Sequence, residues 1–157
     1  MLIDTHVHLE TFSTEEIHEI MCRAKIAGIS GVISAGVDLE TSKKSVDLSK
    51  IFNNIFSGVG IHPMNISDNL NEESFLQIHS LASKHEKVLV MSEIGLDFTE
   101  NISTRKTQFD IFRQQIRIAL DLKLPIVFHS RESHEDVLRI LLEEKAYEVG
   151  GIMHYFQ

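Results

Sequence analysis

Short apolar runs alternate with longer amphipathic segments along almost the whole chain, and this alternation restricts the fold more than any other feature. The apolar runs are rich in branched residues and nearly continuous in hydrophobicity, as in parallel strands buried on both faces. They occupy residues 2–6, 31–35, 55–61, 88–94, 125–129 and 151–154. We therefore predict six strands, each with both faces covered.

The amphipathic segments between these strands are predicted to be five helices. The first begins after Ser13, has Glu16 in a capping-box position, and stops near Gly28. The others are placed at residues 39–51 and from Asn71, Ser103 and Ser133 onward, the last with Asp136 three residues further on. Repeated strand–helix units predict an α/β fold with a parallel sheet and right-handed crossovers. Two architectures satisfy this pattern, an open doubly wound sheet and part of a (β/α)8 barrel.

Composition and charge exclude several classes of protein. A length of 157 residues predicts one domain. The net charge of −8 argues against a broad phosphate-binding surface, but not against an enzyme that contacts phosphates locally. The single cysteine, Cys22, cannot form an intramolecular disulfide. With no export signal and no apolar run that could span a bilayer, we expect a cytoplasmic protein without a membrane partner.

Histidines are concentrated where the predicted strands end. In α/β folds the carboxyl ends of parallel strands open on one face, and active sites lie there. Residues two apart on a strand point to the same side, so a histidine pair on the first strand can face one point. The residues at these ends are His6 and His8 on strand 1, His62 on strand 3, Glu93 on strand 4, His129 on strand 5 and His154 on strand 6.

Each of these residues also has an ordinary structural interpretation. An isolated His-x-His is more often an alternating strand than a metal site, and His62 precedes Pro63, which can simply mark a turn. Glu93 is the stronger signal, because a carboxylate in an apolar run is costly unless it is paired or bound to a metal. The convergence of several such groups predicts a metal site formed by the set His6, His8, Glu93, His129 and His154.

The composition of this set indicates which metals it would bind. Imidazoles with one carboxylate suit zinc, manganese, iron or nickel better than magnesium or calcium. A glutamate such as Glu93 can bridge two ions through its two oxygens, and two ions about 4 Å apart activate a water and clamp phosphodiester oxygens.

Five ordered motifs resemble the TatD-type metal-dependent hydrolases, the TatD DNase family. They are LIDTHVHL at 2–9, GVGIHP at 58–63, SEIGLDF at 92–98, LPIVFHSRE at 124–132 and GGIMHYF at 150–156, and the fourth helix is also similar, with Gln108, Phe112 and Gln115 in register. The resemblance implies a TIM-type barrel that hydrolyses DNA with a metal-activated water. It implies two divalent ions (Zn, Mn or Mg), one held by His6, His8 and Glu93 and the other by Glu93, His129 and His154. Glu93 and Arg131 would be the catalytic residues. Arg131, two residues after His129, would contact the phosphate, with a structural ion pair as the alternative, and His62 could approach the substrate, with a turn at Pro63 as the alternative.

The chain is shorter than the family's barrel, which typically needs about 250 residues. The resemblance implies an aspartate on a later strand that completes the first metal site, and no residue here matches it. We therefore expect residues 1–157 to form a single TatD-like domain, truncated at its C-terminus, with an incomplete barrel of about six strands and five helices. The resemblance also implies that this aspartate handles the proton of the nucleophilic water. Without such a general base the hydrolysis rate would fall by roughly 10²–10⁴. Open edges at strands 1 and 6 would favour self-association or a completing chain.

Two other functions remain open from the sequence. The same ligands would serve an amidohydrolase acting on a small amide or lactone, and the acidic charge favours a small substrate. A non-catalytic half-barrel that binds metal and works by association is the third possibility.

Overall fold

Six parallel strands in sequence order form the frame of the molecule. The computed structural model describes residues 2–67, 69–100 and 103–155. The strands are β1 (Leu2–Val7), β2 (Ile29–Ala35), β3 (Ile55–Val59), β4 (Val88–Asp97), β5 (Ile126–Arg131) and β6 (Gly151–Met153). Their order in the sheet is β1-β2-β3-β4-β5-β6. This order is that of a (β/α)8 barrel, because a doubly wound sheet reverses its strand order at a switch point.

The sheet curls so strongly that its two ends approach each other. The rings of His6, on β1, and His154, directly after β6, stack with centroids 3.7 Å apart. In a flat sheet, five strand spacings would separate β1 from β6 by about 24 Å. The prediction of an incomplete barrel with six strands is thereby confirmed. Within the described residues β1 pairs only with β2 and β6 only with β5, so these two strands are the edges.

Five α-helices connect the strands, as predicted. They are α1 (Thr14–Ile26), α2 (Leu39–Ile51), α3 (Glu72–Lys84), α4 (Arg105–Leu122) and α5 (His134–Glu143). The capping box of α1 is present, since the Glu16 amide donates to the Ser13 hydroxyl and the Ser13 amide donates to the Glu16 carboxylate. The α4 helix begins one residue later than expected, with Thr104 as its N-cap. No helix among the described residues is long and apolar enough to cross a membrane.

The start of α5 differs from its prediction in one respect. Ser133 precedes the helix, but its side chain makes no capping hydrogen bond. The Ser133 hydroxyl instead donates to the carbonyl oxygen of Leu96 at 2.9 Å. The residue therefore ties the beginning of α5 to the end of β4.

Strand ends differ from the prediction by one to three residues, most of all at β4, where a buried glutamine of α4 supports the longer strand. Gln108 accepts from the Asp97 amide at 2.9 Å and donates to the Asp97 carbonyl at 2.8 Å, while residues 94–97 pair with β5. Because of this support β4 continues to Asp97, so Glu93 lies inside the strand and not at its end. Gln115 pairs in the same way with both backbone groups of Ile61, and β3 ends at Val59.

The main apolar core lies between the sheet and the helices that follow β2 to β5. Its fully buried side chains include Met91 and Ile94 of β4, Phe112 and Ile116 of α4, and Ile78 of α3. A smaller core joins α1 to β2 and β3. The β4 strand is thus held from its outer face, and this support fixes the position of Glu93 on the inside of the curl.

Candidate metal centre

Histidine and glutamate side chains from neighbouring strands meet inside the curled sheet, and we call this set the strand-end cluster: His6, His8, His62, Glu93 and His129. It contains two groups whose candidate ligand atoms all lie within 4.8 Å of one another. One group is His6, His8 and Glu93, and the other is His62, Glu93 and His129. Glu93 belongs to both, and only 5% of its surface is exposed.

In the first group two imidazoles face one carboxylate oxygen. Glu93 Oε2 lies 3.2 Å from His6 Nε2 and 3.8 Å from His8 Nε2, and these two nitrogens are 3.1 Å apart. The other ring nitrogen of His8, Nδ1, lies 3.1 Å from the carbonyl oxygen of Ala35. A carbonyl can only accept, so Nδ1 carries the ring proton and Nε2 directs its lone pair into the cluster. Metal-binding histidines usually have this arrangement.

In the second group His129 lies between two carboxylates. Its Nδ1 is 3.1 Å from Glu93 Oε1, and its Nε2 is 2.8 Å from Asp97 Oδ2. Asp97 is 1% exposed, and its other oxygen accepts hydrogen bonds from the amide and hydroxyl of Thr99. Asp97 therefore anchors the outer nitrogen of His129, which leaves Nδ1 as the atom that faces the cluster.

Asp97 is the member of this site that the sequence analysis missed. It lies four residues after Glu93 in SEIGLDF, and residues four apart on a strand point to the same side. The predicted strand stopped at residue 94, so Asp97 lay outside it and was not among the predicted site residues. An aspartate between Leu96 and Phe98 is the same kind of signal as Glu93, a carboxylate within an apolar run.

The electrostatics of the cluster fit a divalent cation. Burial alone would raise the pKa of Glu93, but hydrogen bonds with His129 and His6 outweigh burial and hold this pKa below its usual range. Burial opposes a proton on His129, yet its hydrogen bonds with Glu93 and Asp97 raise its pKa. The cluster therefore combines fixed negative charge with imidazole nitrogens, the donor set that zinc and manganese prefer.

His62 reaches the same carboxylate from the segment that follows β3. Its Nε2 lies 3.7 Å from Glu93 Oε1, and its ring meets that of His129 edge-on with centroids 4.4 Å apart. Burial lowers the pKa of His62 to about 4. The sequence left a substrate contact and a turn as alternatives for this residue. It does begin a turn, because its Nδ1 accepts a hydrogen bond from the Met64 amide at the start of the 3-10 helix Pro63–Asn65.

The remaining predicted residues, His154 and Arg131, lie at the rim of the cluster. His154 stacks on His6 and belongs to neither close group of ligand atoms among the described residues. Arg131 ends β5 with an exposed side chain, and both residues line one cleft together with Glu93 and His129. The roles of the predicted site residues in metal and phosphate binding stay predictions.

Replacement of Asp97 by alanine should weaken metal binding without unfolding the protein. His129 would lose the partner that fixes its orientation, and losses of this kind typically cost about 10–100-fold in affinity. We expect this change for Zn²⁺ or Mn²⁺ in calorimetric titration. Asp97→Asn keeps an oxygen acceptor and should lose less. An Asp97→Ala protein that binds both metals as tightly as the wild type would contradict the anchoring role.

Almost the whole chain matches a known protein family. Residues 3–157 match the family described as TatD related DNase. The chain is 39% identical over 158 residues to YabD of Bacillus subtilis, an uncharacterized metal-dependent hydrolase, with 99% of this chain and 61% of that protein covered. It is 33% identical over 138 residues to a Cronobacter sakazakii protein named 3'-5' ssDNA/RNA exonuclease TatD, with 88% and 52% covered.

Solved structures share the fold. The TatD homologue YJJV from Escherichia coli superposes with a TM-score of 0.89 at 24% identity, covering 99% of this chain and 60% of that one. A TatD family hydrolase from Entamoeba histolytica gives 0.88 at 24% identity, with 99% and 58% covered. The chain thus spans about three fifths of the length of YabD and YJJV. The match over residues 3–157, together with the six-stranded half-barrel and its strand-end cluster, shows that the chain belongs to the TatD-related DNase family.

Proposed function

We propose that the protein is a metal-dependent nuclease that hydrolyses phosphodiester bonds of DNA at the strand-end cluster. The observation that carries this proposal is the placement of Glu93. Its Oε2 faces His6 and His8, while its Oε1 faces His129. A carboxylate with one oxygen toward each of two ligand groups is suited to bridge two ions. A relative named as an ssDNA/RNA exonuclease supports the choice of a nucleic acid substrate.

The residues divide into two ligand sets under this proposal. His6, His8 and Glu93 would hold one divalent ion, and Glu93, His129 and His154 would hold the second, with zinc, manganese or magnesium as the metal. Bound there, such ions would supply Lewis-acid chemistry toward the phosphate and would lower the pKa of the attacking water. The protein's own contribution is orientation, because the Ala35 carbonyl fixes His8 and Asp97 fixes His129.

Arg131 is the proposed phosphate contact. Its guanidinium is exposed at the mouth of the cleft, and no ion pair within the described part of the chain engages it. Arginine binds phosphate through paired, charge-assisted hydrogen bonds. The positive charge of Arg131 at the mouth of the cleft would let the protein bind DNA locally, although its net charge is −8.

A nuclease assay with arginine variants tests both the reaction and this contact. Labelled single-stranded DNA should be cleaved in the presence of Mn²⁺, Zn²⁺ or Mg²⁺ and not in the presence of a chelator. Arg131→Ala should raise KM by about 10–100-fold, from the worth of hydrogen bonds to charged groups, and Arg131→Lys should raise it less. Arg23→Ala removes the same charge from the last turn of α1, which leads into the amino-terminal end of β2, and should change nothing.

Two results would contradict the proposal. One is turnover of small amides or lactones by a protein that cleaves no DNA, which would favour the amidohydrolase alternative. The other is an equal effect of Arg131→Ala and Arg23→Ala, which would show that only total charge matters and that Arg131 makes no local contact.

A further inference from the structure

We propose that His62 is a catalytic hydrogen-bond donor, which presents its Nε2–H to an oxygen of the scissile phosphate, and that it is not a metal ligand. The inference rests on the proposed nuclease function and adds a residue to its machinery. It also gives His62 a different role from His8 and His129, although all three lie in the same cluster.

The position of the ring proton follows from the turn that His62 begins. The Met64 amide donates a hydrogen bond to His62 Nδ1 at 3.1 Å. A backbone amide has a proton and no available lone pair, so Nδ1 must be the unprotonated nitrogen. The proton of the ring is then on Nε2. A protonated nitrogen has no lone pair for a metal, and Nε2 is the atom that faces the cluster.

His62 is the reverse of His8 and His129 in this respect. The outer nitrogen of His8 faces the Ala35 carbonyl, and that of His129 faces the Asp97 carboxylate. Both partners are acceptors, so each of those rings in its neutral form keeps a lone pair for the cluster. The outer partner of His62 is a donor, and its ring therefore turns an N–H toward the same point.

The Nε2–H of His62 is available to a ligand. It lies 3.7 Å from Glu93 Oε1, which is longer than a hydrogen bond, and the described residues offer it no other acceptor. His62 lines the cleft that also contains Arg131 and His154. A donor at this place can bind the phosphate oxygen on which negative charge grows during hydrolysis, and such contacts stabilise the transition state.

The backbone on both sides of His62 holds this donor in place. The His62 amide donates to the Val37 carbonyl at 2.8 Å, and Gln115 binds both backbone groups of Ile61. The side chain is 13% exposed. A ring fixed at its amide, at Nδ1 and by its neighbours needs little reorganisation when the substrate binds.

Kinetics and metal content together test the assignment. His62→Ala should lower kcat by about 10²–10³-fold, as removal of one oxyanion donor does, while metal stoichiometry and affinity stay at wild-type values. His62→Gln places an amide N–H near the position of Nε2 and should recover part of kcat. Melting curves of both variants check that they fold. If His62→Ala loses one metal equivalent or binds metal more weakly, the donor role is overturned.

Nitrogen-15 NMR of the Zn²⁺-loaded protein gives a second readout that needs no turnover. The expected spectrum has a proton on His62 Nε2 and none on Nδ1. An unprotonated Nε2 overturns the donor assignment. A protonated Nε2 in a wild-type protein that cleaves no DNA overturns the proposed nuclease function instead, and the two failures are therefore distinct.

Discussion

We expect Glu93→Ala to lose the divalent metal and, with it, the proposed hydrolysis of DNA. Each oxygen of Glu93 serves a different ligand group, with His6 and His8 on one side and His129 on the other. Its loss removes the anionic partner of both groups at once. Because bound metal contributes several kcal/mol of transition-state stabilisation, activity should fall by at least about 10³-fold. Elemental analysis after dialysis and the DNA cleavage assay measure the two effects.

Two further variants separate the metal effect from folding and charge. Glu93→Gln keeps the shape of the side chain and removes its charge, so it should also lose metal while the apo protein melts as a folded domain. Glu86→Gln makes the same chemical change at an exposed residue just before β4, at the amino-terminal end of that strand, and should keep its metal. Retention of metal by Glu93→Gln would contradict the bridging role.

Gly95→Ala will destabilise the protein more than Gly31→Ala, a change at another glycine of the sheet. A Cβ at residue 95 would collide with the carbonyl oxygen of His129 and come within 2.9 Å of two further backbone atoms of that residue, which cannot rotate away. The φ of Gly95 is +148°, where L side chains are strained. Strain of about 1–3 kcal/mol and overpacking of about 1–3 kcal/mol add to roughly 2–6 kcal/mol.

Urea denaturation of the metal-free protein measures this cost. Gly31→Ala is the matched control, because its Cβ would first meet the ring of Phe56 at 3.3 Å, and a side chain can shift. The control should lose no more than about 1 kcal/mol. Wild-type stability in Gly95→Ala would mean that the pairing of Gly95 with His129 in the sheet does not hold β4 and β5 together as described.

Much of the fold and part of the site could be predicted from local patterns. Continuous apolar runs identified the six strands, and the shared direction of parallel strands placed His6, His8, Glu93 and His129 together, as the structure confirms. The choice between an open sheet and a barrel could not be made, because strand order and curl depend on how helices pack across the sheet. The stacking of His6 on His154 shows the curl directly.

The details that sequence analysis missed arise from contacts between distant residues. Asp97 joins the site because Gln108, eleven residues later, supports the end of β4. Ser133 has the sequence of an N-cap, yet it bonds to Leu96 instead. In each case the partner of a polar group decides its role, and tertiary structure chooses the partner.

Electron paramagnetic resonance of the Mn²⁺-loaded protein tests most directly whether Glu93 joins two ions within the strand-end cluster. Ions that share a carboxylate are spin-coupled, whereas isolated Mn²⁺ gives a simple six-line spectrum. The wild-type protein should bind two equivalents with a coupled spectrum, and Glu93→Gln should lose that coupling. An uncoupled spectrum at full occupancy of the wild type, or one unchanged in Glu93→Gln, would contradict a two-ion centre built on Glu93.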